Sequence, residues 1–146
     1  MEITAKEIGI QGEIEVTKLL RRKGWEIRLL DRLGCAPDGS WYFIEVKNKE
    51  PWEPPPSFQQ GLWTYQYTFY KQFHYLFSIR TMLVVKGKNG EWLAQFIDNL
   101  KPNNYRQLKD RKRYVFFDLN QFQPFSQFTH GLLHIYPRKR TEKKEA

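Results

Sequence analysis

Residues 25–47 read WEIRLLDRLGCAPDGSWYFIEVK. Two runs rich in aromatic and branched side chains, 25–33 and 41–47, flank Cys35-Ala36-Pro37-Asp38-Gly39-Ser40. Such runs favour strands. Pro presets one turn dihedral, Asp hydrogen-bonds back to the main chain, and Gly supplies a positive φ. The segment is therefore a predicted β-hairpin. With its turn centred on Asp38, Asp31 falls directly across from Glu45, with Cβ atoms roughly 5 Å apart. Side chains alternate along a strand, so Lys47 shares the face of Glu45. One face of the hairpin thus gathers Asp31, Glu45 and Lys47.

Upstream, Thr4 and Glu7 form a capping-box pair. Ile8, Gly12, Val16, Leu19 and Leu20 recur at helical spacing up to Gly24, predicting a helix over 5–23. Downstream, Pro51, Pro54, Pro55 and Pro56 make 48–56 an extended connection. Ser57 and Gln60 then read as the cap of a second helix reaching about residue 76. Strands are expected over 81–86 and 91–97, joined by a Gly87-Lys88-Asn89-Gly90 turn. Further strands are expected over 114–119 and, more weakly patterned, 132–136. The charged residues 137–146 lack apolar periodicity and read as a disordered basic tail. The expected organisation is one domain over 1–136, with a core at about 5–100 and a C-terminal extension at 101–136. Helix, paired strands, helix and paired strands give an α/β fold with a mixed sheet.

The chain has 146 residues, 40% hydrophobic and 27% charged, which is enough apolar material for a core. Its 24 Lys and Arg against 16 Asp and Glu leave a formal charge of +8. An excess of this size favours polyanions, because neutralising phosphates releases counterions. The single cysteine, Cys35, excludes an internal disulfide and a multi-thiolate zinc site. Met1-Glu2-Ile3-Thr4 lacks the charged-then-apolar order of a signal peptide. No apolar run approaches the ~20 residues of a membrane span. A cytoplasmic protein without a membrane partner is expected.

Two carboxylates at hairpin distance repel unless a cation lies between them. Oxygen ligands of this kind suit Mg2+ or Mn2+. A cation held there polarises phosphoryl oxygens, and the Lys47 ammonium can stabilise a charged transition state. The pattern Asp31…Glu45-Val46-Lys47, preceded by Gly12-Glu13 in a helix, resembles the PD-(D/E)xK nuclease superfamily, which includes restriction endonucleases, Holliday-junction resolvases and RecB-type nucleases. The resemblance covers about residues 7–97 and implies a restriction-endonuclease-like αβββαβ core, a mixed central sheet flanked by helices. It further implies that Asp31, Glu45 and the Val46 carbonyl ligate Mg2+ (or Mn2+), that Lys47 is the catalytic lysine, and that Glu13 helps bind or position a second metal or water. The literal Pro-Asp pair, Pro37-Asp38, lies seven residues before Glu45, closer than the superfamily usually allows. Asp31 is therefore preferred as the ligand and Asp38 is the alternative.

Gln66 and Tyr70 match the Gln-x-x-x-Tyr pattern of RecB-type nucleases. Gln60, near the expected start of helix two, is a further candidate contact to nucleic acid. Lys71 interleaves with the aromatics of helix two, and Lys109, Arg111, Lys112 and Arg113 form a basic cluster suited to phosphates. His130 and His134 stand four apart without a third ligand. The combined expectation is a Mg2+-dependent endonuclease acting on nucleic acid, DNA foremost, with a homodimer possible. The alternatives are a non-catalytic nucleic-acid-binding domain on the same fold and a protein-interaction module.

Overall fold

The computed structural model describes residues 4–28, 33–53 and 57–135. The first helix, α1 (Ala5–Arg22), opens as expected: the Glu7 amide donates to Thr4 Oγ1 at 3.1 Å. Three short strands follow, β1 (Glu26–Arg28), β2 (Leu33–Cys35) and β3 (Trp41–Lys47). The single strand expected over 25–33 is thus two antiparallel strands, Ile27 facing Gly34. Gly34 explains the tight pairing, since a Cβ there would meet the Ile44 and Ile27 side chains at 2.7 and 2.8 Å. Between β2 and β3, Leu33 pairs with Phe43, Gly34 with Tyr42 and Cys35 with Trp41. This is the register that a turn centred on Asp38 requires.

The second half of the fold departs further from expectation. Residues 59–63 form a strand, β4 (Gln59–Trp63), and α2 runs only from Thr64 to Phe77. Tertiary partners override the expected cap. Ser57 Oγ donates to Asp118 Oδ1 at 2.7 Å, and Gln60 Nε2 donates to the carbonyls of Lys49 and Lys86 at 2.7 and 3.0 Å. Strands β5 (Arg80–Lys86), β6 (Trp92–Phe96), β7 (Asn104–Gln107), β8 (Arg113–Asp118) and the two-residue β9 (Gln123–Pro124) come next. The chain then closes into α3 (Phe125–Ile135) where a weak strand was expected over 132–136. Phe125, Phe128 and Leu132 recur at helical spacing and are buried together, so packing decides for a helix. Tyr136 and the basic tail lie outside the described residues.

The main sheet has the order β1-β2-β3-β5-β6-β9, with β3 and β5 parallel and the other pairs antiparallel. A second, antiparallel sheet has the order β4-β8-β7. Two apolar clusters lie on opposite faces of β5. Met82 and Val84 pack with Val16 and Leu20 of α1, Tyr42, Ile44 and Val46 of β3, and α3. Leu83 and Val85 pack with Leu62, Tyr67, Val115 and Phe117, joining the second sheet and α2 to the first. The result is a mixed α/β core with helices on both faces, as the fold class expected.

Candidate active site

Strand alternation sends Phe43, Glu45 and Lys47 to the α2 side of β3, while Tyr42, Ile44 and Val46 join the α1 core. Helix α2 runs over this face in the opposite sense. Phe73 meets the Phe43 ring at 4.7 Å, Tyr70 Oη donates to Glu45 Oε1 at 2.5 Å, and Lys47 Nζ donates to Gln66 Oε1 at 3.4 Å. The spacing has a simple cause. Four helical residues advance about 6 Å, and two strand residues advance about 6.6 Å. A Gln-x-x-x-Tyr pair on the helix therefore stays in step with Glu-x-Lys on the strand.

Glu45 is 4% exposed, and its Oε2 lies 3.6 Å from Lys47 Nζ. A carboxylate this deep is tolerable because it is paired and hydrogen-bonded. Lys47 keeps about a fifth of its side chain in solvent, so its ammonium reaches an open cleft while the aliphatic stem is covered. The cleft has a volume near 1370 Å³ and takes in Glu13, Glu45, Val46, Lys47, Gln66 and Tyr70 together. Small-molecule pockets run to about 1,000 Å³. This one is larger.

Glu13 comes to the cleft because α1 presses against the end of β3. A Cβ at Gly12 would collide with the Asn48 side chain, and Asn48 Nδ2 donates to the Ile8 carbonyl at 2.8 Å. The Gly-Glu step in the sequence is therefore a close approach followed by a half-buried acid on the cleft wall. Asp31 lies outside the described residues. Asp38 is placed away from the cleft: its carboxylate accepts from the Ser40 amide and hydroxyl at 2.9 and 3.2 Å, and Gly39 adopts a φ of 93°. Asp38 is turn chemistry.

The remaining candidates scatter. Gln60, 4% exposed and bonded to two carbonyls, is a structural brace and not a surface contact. Lys71 lies on the exposed side of α2 against the Tyr67 ring. Lys109, Arg111 and Lys112 form the exposed turn between β7 and β8, and Arg113 begins β8. Reading the sequence alone missed the cleft residues Asn48, Lys49, Lys86 and Lys88. Asn48 and Lys49 directly follow the Glu-x-Lys step, and that proximity was the available signal. Among the described residues, no three His, Cys, Asp or Glu side chains cluster tightly enough to enclose a metal by themselves. No helix among them is long and apolar enough to cross a membrane.

No protein-family model and no curated protein sequence matches the chain. A solved structure does: the Holliday junction resolvase Hjc of the archaeal hyperthermophile Archaeoglobus fulgidus, at a TM-score of 0.59 and 11% identity, covering 84% of this chain and 95% of that one. At that identity the likeness speaks for the backbone and not for the chemistry. The chain carries the restriction-endonuclease-like fold, the architecture to which the PD-(D/E)xK resemblance pointed.

Proposed function

We propose that this protein is a metal-dependent nuclease that hydrolyses phosphodiester bonds of nucleic acid, DNA foremost, by direct attack of water. The observation that carries the reading is the buried Glu45 carboxylate paired with a half-buried Lys47, the two held by Tyr70 and Gln66 in an open cleft. A structural ion pair gains little from such burial, whereas a reaction site needs fixed charges.

The donor set fits Mg2+ or Mn2+. Magnesium is usually bound through one or two carboxylates plus substrate phosphates, so a closed protein cage is not required. Glu45 and the Val46 carbonyl would supply oxygens, with Asp31, outside the described residues, as the second carboxylate that the PD-(D/E)xK resemblance implies. A carboxylate offers about four lone-pair sites, so the Tyr70 bond and ligation are compatible at Glu45. A bound cation supplies polarisation of the phosphoryl oxygen and acidifies water. The chain's own groups do the rest. Tyr70 fixes the Glu45 carboxylate, Gln66 steers Lys47, and the Lys47 ammonium offsets negative charge developing on the phosphate. Glu13, which lines the same cleft, would help to position a second cation or water.

The +8 charge of the chain also supports a rival reading, a nuclease fold that binds nucleic acid without cutting it. Plasmid, single-stranded and branched DNA incubated with the purified chain, with and without Mg2+, separate the two. Metal-stimulated nicking or cleavage supports the nuclease; binding without turnover at any metal concentration favours the rival.

A further inference from the structure

The outward face of the β4-β8-β7 sheet carries a row of cations seated on aromatic rings. Directly opposed residues share a face in an antiparallel pair, so Trp63, Tyr114 and Arg106 lie in one line across the three strands. Lys112 Nζ stands 4.4 Å from the centre of the Trp63 ring, and the Arg106 guanidinium stands 4.1 Å from that of Trp52. Lys49 Nζ stands 6.0 Å from the centre of the Tyr114 ring, at the outer limit for such a contact. Lys49, Arg106 and Lys112 are all exposed, whereas the three rings are half-buried. One side of each ring is thus covered, and an incoming ligand meets charge before it meets aromatic surface.

Lys49 also lines the cleft that holds Glu45 and Lys47. The row therefore begins where the cleft ends. Asp110, on the adjoining turn, accepts from the Tyr114 hydroxyl at 2.7 Å and from the Lys112 amide at 2.9 Å. Its carboxylate is spent on shaping the turn that presents Lys112. Long flexible cations lose much side-chain entropy on binding, and a supporting ring lowers that cost in advance.

We infer that this sheet face is a backbone track: it grips the phosphates of nucleic acid continuing out of the cleft, without reading bases, through Lys49, Arg106 and Lys112. The inference rests on the nucleic-acid reading above and extends it to substrate length. The preferred substrate is a polynucleotide whose chain continues past the scissile bond on the Lys49 side. Fragments confined to the cleft bind without the track.

The test is equilibrium binding by the full chain in metal-free buffer, where cleavage cannot interfere. The probes are a long labelled duplex of arbitrary sequence and a short one that fills the cleft alone. Arg106→Gln with Lys112→Gln is compared with Lys18→Gln, an exposed cation on α1. Each phosphate contact contributes about 0.9 to the slope of log affinity against log salt. The double variant is expected to bind the long duplex more weakly and to lose roughly 1.8 from that slope, while the short duplex and the Lys18 variant behave as wild type. An unchanged slope for the long duplex, in a variant that melts like wild type, overturns the track. A slope loss shared equally by the short duplex also overturns it. The two readings fail separately: a protein that never cleaves but loses the slope keeps the track, and one that cleaves with the slope unchanged keeps the nuclease.

Discussion

The cleft floor and the outer face of the small sheet both concentrate charge, yet they support it in opposite ways. At the cleft, Glu45 is almost wholly buried, and Lys47 and Tyr70 meet it through directed contacts. On the sheet, Arg106 and Lys112 are exposed and lean on rings through undirected ones. Buried charge is costly to place and sensitive to small displacements. Exposed charge is cheap, screened by salt, and tolerant of where its partner sits. The difference assigns precision to the first region and adhesion to the second.

Four experiments can break or sharpen that contrast. Glu45→Gln and Lys47→Ala should each lower Mg2+-dependent plasmid cleavage on the order of 10³-fold. Cleavage that persists in both variants would remove the cleft from the chemistry. Tyr70→Phe and Gln66→Ala, which disturb partners of those groups, should cost roughly 10- to 100-fold, with Tyr70→Phe also raising the Mg2+ concentration needed. An effect of Tyr70→Phe confined to melting temperature would mean the phenol only braces the helix.

Gly12→Ala tests how α1 is set against β3. A helix interior favours Ala over Gly by about 1 kcal/mol. The collision with Asn48 should outweigh that, for a net loss of about 1 kcal/mol in urea unfolding and a drop in cleavage as Glu13 shifts. A stabilised, fully active variant would show that α1 can give way freely.

The smallest effect belongs to the sheet region. Burial, reinforced by the Asp110 carboxylate, pushes the Tyr114 phenol up to about 12. A group raised in the folded state contributes stability that is full below its unfolded value, near 10, and is lost as pH rises towards 12. The same bond, with the Lys112 amide, lowers the Asp110 carboxyl, so its contribution is present above 3.8 and fades as pH falls through its lowered value. Tyrosinate absorbance should show a late-ionising phenol, near 12, that disappears in Tyr114→Phe. Identical titration curves for the two proteins would dissolve the Tyr114–Asp110 link.

The first half of the molecule was legible because its signals are local. Pro37-Asp38-Gly39 fixes a turn, the turn fixes the register, and alternation puts Glu45 and Lys47 on one face. Thr4 and Glu7 mark the start of α1 in the same local way. The second half was obscured wherever partners lie far along the chain. Gln60 resembled a helix cap, but its amide bridges the carbonyls of Lys49 and Lys86, which sequence spacing cannot reveal. Strand β7, Asn-Tyr-Arg-Gln, has no apolar alternation because it forms a sheet edge with three of its residues exposed. At the site, Gln66 and Tyr70 were visible as a spacing, but their pairing with Lys47 and Glu45 depends on the direction in which α2 crosses β3.

Strand β5 has a mechanical consequence. Its odd and even side chains belong to different apolar clusters, so neither cluster can loosen without exposing one side of the same seven-residue strand. The two sheets should consequently melt in a single transition, and amides of β5 should be among the slowest in the chain to exchange with deuterium. A load applied to the small sheet, such as a pulled nucleic-acid strand, would then be transmitted through a wall that does not flex on its own.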